Sequence, residues 1–227
     1  MKKVFSFSLF GHAEKYWRGM FKNIELIHES FPEWYIYIWI GDGVSEDVVL
    51  ELSEKRNVVL LPTNQQGLMN MSYRFFSIDD PDVEVMCVRD ADSRVNDRDK
   101  ACIEDFVQSN KLFHILRDHP NHHHPIMGGM WGIKKGLLPV KLQDAFHAWK
   151  QTHPATEFWN DMDFLKQIFY PHVIPHAMIH DELQTFEGPE YHTPFRVPLD
   201  EKKEHFIGQV YEFNAGLEFP KYPYAKN

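Results

Sequence analysis

The sequence predicts an α/β fold with a mixed, mostly parallel β-sheet that is flanked by helices. Strand signals and helix signals alternate through the first half of the chain, which is typical of βαβ units. Residues 83–88 are apolar at nearly every position, as expected for a strand that is covered on both faces. The length of 227 residues suits one domain with an ample core.

The first half contains four predicted strands, at residues 4–10, 34–40, 58–61 and 83–88. A helix follows the first strand and ends before Pro32, because apolar residues recur there at helical spacing: Trp17, Met20, Phe21, Ile24 and Ile27. Ser45 is placed to cap a second helix, and residues 68–78 are also predicted to be helical.

The second half is less regular. Helices are predicted at residues 97–108 and 160–169, and strands at residues 112–116 and 128–133. Seven of the fourteen prolines follow residue 170, which predicts an irregular C-terminal tail that wraps over the body of the domain.

Composition and charge argue against several classes of protein. The 33 acidic residues outnumber the 24 basic ones, and a net charge of −9 does not suit non-specific nucleic-acid binding. The longest strongly apolar run has seven residues, whereas a membrane helix needs about 20, so no membrane span is predicted. Cys87 and Cys102 form neither a disulfide framework nor a zinc-ligand pattern, which fits a reducing, cytoplasmic location.

One pair of aspartates stands out by its position. The sixteen Asp residues form four Asp-x-Asp pairs, where roughly one is expected by chance, so the pattern alone carries little information. Only Asp90 and Asp92 follow a buried strand and have basic residues on both sides. In parallel sheets, ligands bind beyond the carboxyl ends of the strands.

The chemistry of this segment suits a metal-bound diphosphate. Two carboxylates one residue apart on extended chain point the same way and can hold Mn²⁺ or Mg²⁺ through oxygen. Five of the eight arginines fall between residues 74 and 117, and guanidinium groups form bidentate bonds to phosphate. The alternative is an Asp–Arg ion-pair network that closes the end of the strand.

Three later motifs extend the candidate site. Gly128 and Gly129 would let a ligand approach the backbone, and Trp131 offers a flat face for a sugar; the alternative is a kinked strand with a buried Trp. Asp161 and Asp163 either point into the cleft or serve the helix dipole. His180 either completes a metal site or is a structural histidine.

The order of these motifs resembles that of GT-A-type glycosyltransferases, which use nucleotide sugars. The sequence is also similar to small transferase-like proteins of bacterial and viral polysaccharide clusters, over about residues 4–210. Four blocks carry this similarity: Tyr-Arg-Phe at 73–75, Arg-Asp-Ala-Asp-Ser-Arg at 89–94, Arg-Asp-His-Pro at 117–120 and Gly-Gly-Met-Trp-Gly at 128–132.

The resemblance implies a role for each matching residue. The metal ligands would be Asp90, Asp92 and His180. Residues on the donor side would be Phe10, Arg74, Arg89, Asp90 and Arg94. Residues on the acceptor side would be His119, Gly128, Gly129 and Trp131, and Asp161 or Asp163 would be the catalytic carboxylate.

The resemblance also implies the overall organisation and the partners. Residues 1–227 would form one GT-A-like domain, with a nucleotide-binding half at 1–96 and an acceptor-side half and tail at 97–227. The donor would be a UDP-sugar or a GDP-sugar, the acceptor a glycan, and the cofactor Mn²⁺ or Mg²⁺.

Three other functions remain open at this stage. A nucleotidyltransferase also uses paired aspartates, but it usually has a Gly-rich basic loop after the first strand, and residues 11–15 are not such a loop. A zinc hydrolase would use the histidine cluster, which contains His114, His119, His122, His123 and His124. A non-catalytic sugar-binding module would use exposed aromatic residues.

Overall fold

A computed structural model describes residues 1–154, 160–184, 186–199 and 205–221. Its strands are β1 (Lys2–Leu9), β2 (Tyr35–Ile40), β3 (Val58–Pro62), β4 (Val83–Val88), β5 (Phe113–Arg117), β6 (Trp131–Lys134), β7 (Ala177–Asp181), β8 (Tyr211–Asn214) and β9 (Leu217–Pro220). Its α-helices are α1 (Glu14–Ser30), α2 (Glu46–Ser53), α3 (Asp97–Gln108), α4 (Leu142–Thr152), α5 (Asn160–Phe164) and α6 (Tyr170–Val173).

Shorter helical segments of other types complete the chain. A 3₁₀ helix spans Gly67–Asp79, a π-helical turn spans Leu165–Phe169, and two short 3₁₀ turns span Ile174–His176 and Pro189–Tyr191. None of the helices in the described part of the chain has the length and the apolar character that crossing a membrane requires.

Seven strands form one mixed sheet in the order β3-β2-β1-β4-β6-β5-β7. β6 is antiparallel to both of its neighbours, and the other pairs in this sheet are parallel. Six strands therefore have their carboxyl ends at the same edge of the sheet, which we call the carboxyl edge. The α/β class and the mostly parallel sheet are as predicted.

Apolar side chains cover both faces of the sheet. On one face, Phe5 and Phe7 of β1 pack in a cluster with Met20 of α1 and Phe106 of α3. On the other face, Met86 and Val88 of β4 belong to a cluster that includes Phe75, Trp131, Phe146 and Phe164. The central strand β4 is thus covered on both sides.

Two serines of β1 attach the 3₁₀ helix Gly67–Asp79 to the sheet. Ser6 Oγ donates to the carbonyl oxygen of Arg74 at 2.6 Å, and Ser8 Oγ donates to that of Asn70 at 2.7 Å. Ser8 Oγ also accepts the backbone N–H of Arg74 at 3.1 Å. Because both serines are buried, these bonds fix the position of Arg74 beside the carboxyl edge.

The structure differs from the predicted elements in a few places. The segment predicted as a helix at 68–78 is helical but of the 3₁₀ type, and β6 begins three residues later than the strand predicted at 128–133. Helix α4 was not predicted, although Leu142, Phe146 and Trp149 lie on its buried face at helical spacing. The tail contains regular structure, namely β7 and the hairpin β8–β9.

Candidate functional site

An arginine joins two carboxylates at the carboxyl edge of the sheet. The guanidinium of Arg74 forms an ion pair with Oδ1 of Asp90, which follows β4, and a second one with Oδ2 of Asp161 in α5, at 3.2 Å. Arg74 and Asp161 are buried, whereas the side chain of Asp90 is 39% exposed. Asp90 is therefore the most exposed member of this group.

The two glycines before β6 allow this arrangement. A Cβ atom on Gly129 would overlap the carboxylate of Asp90, and a Cβ atom on Gly128 would lie 2.8 Å from both Arg74 Nη2 and Asp161 Oδ2. The ligand approach expected at these glycines stays a prediction; in the structure, the side chains of Arg74, Asp90 and Asp161 lie against them.

Asp92 lies two residues after Asp90 in the chain and is paired with a lysine. Lys15 Nζ, near the start of α1, lies 2.8 Å from Asp92 Oδ2. The backbone carbonyl of Asp92 accepts the N–H of Tyr211 at 2.8 Å, so the C-terminal hairpin is attached to the same turn. Asp92 is buried beneath these contacts.

The electrostatics of the site leave an excess of negative charge. Burial raises the pKa of Asp92, and the nearby charge of Asp90 raises it further. Burial likewise raises the pKa of Asp161, although Arg74 opposes this shift. Burial disfavours the charge on Lys15, but Asp92 more than compensates and raises the pKa of the lysine. When all three carboxylates are ionised, their negative charge exceeds by one the positive charge of Arg74 and Lys15, and a bound divalent cation would relieve the repulsion that raises these pKa values.

This donor set fits a hard divalent cation. Arg74 approaches Oδ1 of Asp90, whose Oδ2 lies against Gly129, and Lys15 approaches Oδ2 of Asp92. In each pair, the cation thus contacts one of the two carboxylate oxygens. Oxygen ligands and an uncompensated negative charge are what Mg²⁺ and Mn²⁺ prefer. Two protein carboxylates would leave further coordination positions for phosphate oxygens.

The structure does not bring His180 to this pair. His180 is in β7, three strands away from β4, which is roughly 14 Å at the usual spacing between strands. Its ring is fully buried, and its Nδ1 lies 2.9 Å from Nε2 of His114. The position of His180 thus matches the structural alternative rather than the metal ligand that the resemblance implied.

A different group of possible ligands lies beyond β7. Asp181, Glu187 and His192 place ligand atoms within 4.8 Å of one another, and no other such group of three occurs among the described residues. Arg117 forms ion pairs with both carboxylates of this group, at 2.7 Å from Asp181 Oδ2. A cation there would compete with the guanidinium of Arg117.

The two arginines that flank Asp90 and Asp92 bind protein groups. Arg89 is buried and donates two hydrogen bonds to Asp99, at 2.9 and 2.7 Å. Arg94 donates to Glu218 of β9 at 2.7 Å and to backbone carbonyls of its own turn. The ion-pair network considered from the sequence therefore describes Arg89 and Arg94, while Arg74 belongs to the site.

Trp131 and His119 lack the exposed faces that sugar contact requires. Trp131 is fully buried, stacks on Phe113 and donates from Nε1 to the carbonyl of Gly128 at 3.2 Å. His119 is buried and stacks on Phe206 with a centroid distance of 4.3 Å. Of the predicted acceptor-side residues, only the two glycines border the Arg74 group.

Two further predicted residues lie at the margins of the site. Phe10 is half-buried and directly follows β1 at the carboxyl edge. Asp163 is half-buried, and its charge acts on His124 of the histidine-rich loop. Asp161 and Asp163 therefore differ in surroundings, since only Asp161 pairs with Arg74.

The histidine cluster does not form a zinc site in the described part of the chain. His122 Nδ1 accepts the backbone N–H of Asp118 at 2.9 Å, and His114 pairs with His180. His123 and His124 lie further outward and contact each other. Nothing in this arrangement supports the zinc hydrolase alternative.

Lys15, Ser6 and Ser8 were missed by the sequence reasoning. Lys15 follows the turn after β1, and β1 ends at the same edge as β4, so its position was a usable signal. Ser6 and Ser8 interrupt the apolar run of β1. Their alternation with Phe5 and Phe7 indicates a face that packs on polar backbone.

Comparison with solved structures identifies the fold. No family model and no curated protein matches the sequence. A glycosyltransferase involved in the glycosylation of the major capsid of PBCV-1 matches with a TM-score of 0.52 and 18% identity, over 79% of this chain and 81% of that one. The galactosyltransferase LgtC, in complex with donor and acceptor sugar analogs, matches with a TM-score of 0.55 and 12% identity, over 83% and 81%.

The chain has the GT-A fold. An active-site mutant of LgtC matches in the same way, with a TM-score of 0.51 and 11% identity. These matches confirm the predicted resemblance at the level of the fold. Because a fold hosts many functions, the activity has to be argued from the residues of the site.

Proposed function

We propose that this protein is a metal-dependent glycosyltransferase. It would move a sugar from a UDP-sugar or GDP-sugar to a hydroxyl group of a glycan or a similar acceptor, in cytoplasmic polysaccharide biosynthesis. The observation that carries the proposal is the group formed by Arg74, Asp90 and Asp161 at the carboxyl edge, with Asp92 beside it. This is the edge where α/β sheets bind ligands.

On the donor side, Asp90 and Asp92 would hold Mn²⁺ or Mg²⁺. Such a cation stabilises the negative charge that develops on a nucleoside diphosphate as it leaves. Arg74 adds a fixed positive charge at the same place, and its ion pairs with Asp90 and Asp161 hold its guanidinium in one orientation. Phe10 would lie at the border of the nucleotide.

On the acceptor side, Asp161 is the better candidate for the catalytic carboxylate. It lies within the group and burial raises its pKa, which makes a carboxylate a stronger base. The charge of Asp163 acts on His124, so Asp163 would interact with the histidine-rich loop rather than with the sugar. If transfer inverts the configuration of the sugar, Asp161 would accept the proton of the attacking hydroxyl.

Hydrolysis of nucleotide sugars in the presence of Mn²⁺ tests this proposal. We expect slow release of UDP or GDP from one member of a donor panel by the wild-type protein. The variants Asp92→Asn and Asp161→Asn should lower this rate at least about 100-fold, the usual effect of removing a positioned charge. Circular dichroism would show that both variants are folded.

Asp97→Asn provides the matched control. Asp97 belongs to another Asp-x-Asp pair, lies exposed in the first turn of α3, and should keep the wild-type rate. A folded Asp92→Asn variant with full activity would contradict the site assignment. Absence of hydrolysis by the wild-type protein with every donor would contradict the function.

A further inference from the structure

Lys15 occupies the side of Asp92 that faces helix α1. Its ammonium lies 2.8 Å from Asp92 Oδ2 and 3.8 Å from Glu212 Oε1 in β8. It also lies 4.6 Å from the ring centroid of Tyr16. The lysine thus lies between two carboxylates, one in the candidate metal site and one in the C-terminal hairpin.

A metal at Asp92 and the ammonium of Lys15 oppose each other. Both are attracted by the same carboxylate, and two positive charges a few ångströms apart repel each other strongly inside a protein. Arrival of a divalent cation would therefore weaken the bond between Lys15 and Asp92. The long, flexible side chain of lysine allows its charge to move without movement of the helix.

Glu212 is a second carboxylate already in place for Lys15. It belongs to the hairpin β8–β9, which the N–H of Tyr211 joins to the carbonyl of Asp92 and which the ion pair of Arg94 with Glu218 joins to the same turn. Glu212 also pairs with Lys221, 2.9 Å away. The hairpin therefore keeps this carboxylate close to the metal site.

We propose that Lys15 competes with the metal for Asp92 and shifts to Glu212 when the metal binds. Lys15 then neutralises Asp92 while the site has no cation, and it lowers the affinity of the site for a cation. This inference rests on the proposed function, because it assumes a metal held by Asp90 and Asp92. It gives Lys15 of helix α1 and Glu212 of the hairpin a part in setting the metal affinity of that site.

Direct binding of Mn²⁺, followed by electron paramagnetic resonance of the free ion, tests the proposal without a nucleotide. Lys15→Met should bind Mn²⁺ at least about tenfold more tightly than the wild type, a change of ~1.4 kcal/mol. Lys15→Arg keeps the charge and should retain the weak affinity of the wild type. Glu212→Gln removes the alternative partner and should weaken Mn²⁺ binding several-fold.

Lys22→Met is the matched control. Lys22 is exposed on the same helix and pairs with Glu25, so this variant removes the same charge without touching Asp92 and should bind Mn²⁺ like the wild type. Equal or weaker Mn²⁺ binding by Lys15→Met would overturn the proposal. The absence of Mn²⁺ binding by the wild type and by every variant would also overturn it. In that case, hydrolysis of a nucleotide sugar without metal would still support glycosyl transfer.

Discussion

At the scale of single residues, the site depends on two glycines, because the lack of a side chain lets charged groups lie directly against their backbone. Gly129 lies against the carboxylate of Asp90, and any Cβ atom there would overlap it. The structure therefore explains the pair Gly128-Gly129 by contact with Arg74, Asp90 and Asp161. A substitution at Gly129 should act on the carboxylate rather than on the core.

Gly129→Ala is expected to lower nucleotide-sugar hydrolysis at least about 100-fold, because Asp90 must move away from its position beside Arg74. The measurement is the rate of nucleoside diphosphate release at saturating Mn²⁺. Gly132→Ala is the comparison for crowding of the core alone, since a Cβ atom there would press on the Met86 carbonyl oxygen at 3.2 Å and not on Asp90. Equal losses in the two variants would contradict the assignment of Asp90.

Buried histidines give the fold a dependence on pH. Burial lowers the pKa of His122 to about 3, and burial lowers that of His180 to about 4 against the opposing charge of Asp105. Both values lie below the ordinary 6.5, so the unfolded chain takes up protons first as the pH falls. The stability that these neutral histidines contribute is complete above pH 6.5 and is lost progressively as the pH falls to about 4 for His180 and to about 3 for His122.

Urea denaturation at several pH values should therefore show a falling free energy of unfolding below pH 6.5. Each histidine adds up to ~1.4 kcal/mol per pH unit to the slope. His122→Asn, whose amide oxygen can accept the N–H of Asp118, should give a shallower slope between pH 6 and 4. The exposed residue His12, changed to Gln, should leave the slope as it is. An unchanged slope in His122→Asn would count against the neutral buried ring.

The sequence was informative about some site residues and not about others. Asp90 and Arg74 could be selected because one follows a buried strand and the other lies in a specific motif. The burial of Trp131 and His180 could not be predicted, because a sequence pattern does not show which residues of a strand are covered by the neighbouring helices and loops. Trp131 is enclosed by Phe75 and Phe113, which are 56 and 18 residues away in sequence.

At the scale of secondary structure, the 3₁₀ helix Gly67–Asp79 connects the core to the site. Ser8 both donates to the carbonyl of Asn70 and accepts from the N–H of Arg74. The same helix carries the guanidinium that joins Asp90 and Asp161. Loosening this attachment should disturb stability and activity together.

Ser8→Ala is expected to lower the free energy of unfolding by ~1–3 kcal/mol, because it leaves buried backbone groups without their partner. It should also slow nucleotide-sugar hydrolysis about tenfold through displacement of Arg74. Ser53→Ala removes a hydroxyl that bonds only within the exposed end of α2, and it should change neither quantity. A Ser8→Ala variant with normal stability and normal activity would contradict this link.

The order of the strands in the sheet could not be predicted from the sequence. Helices and strands follow from local periodicity, and most of those in the first half are found where they were predicted. The insertion of β6 between β4 and β5 depends on contacts between residues far apart in the chain, such as Val88 with Trp131. The prediction therefore located a strand near Gly128, but not its antiparallel direction or its place next to β4.

At the scale of the whole molecule, the carboxyl edge collects residues from distant parts of the chain. Two sets of ion pairs meet there: Arg74 pairs with Asp90 and Asp161, and Lys15 pairs with Asp92 and Glu212. The two sets lie side by side because Asp90 and Asp92 are only two residues apart in the chain. The division into residues 1–96 and 97–227 stays a prediction, and the site draws on both sides of it.

Calorimetric titration with UDP and with GDP in the presence of Mn²⁺ tests the central claim most directly, because it needs neither the sugar nor the acceptor. We predict binding of one of the two nucleotides at one site per chain, and an affinity at least about tenfold lower in Asp90→Asn, or ~1.4 kcal/mol. Failure of both nucleotides to bind, or unchanged binding in a folded Asp90→Asn variant, would contradict the account.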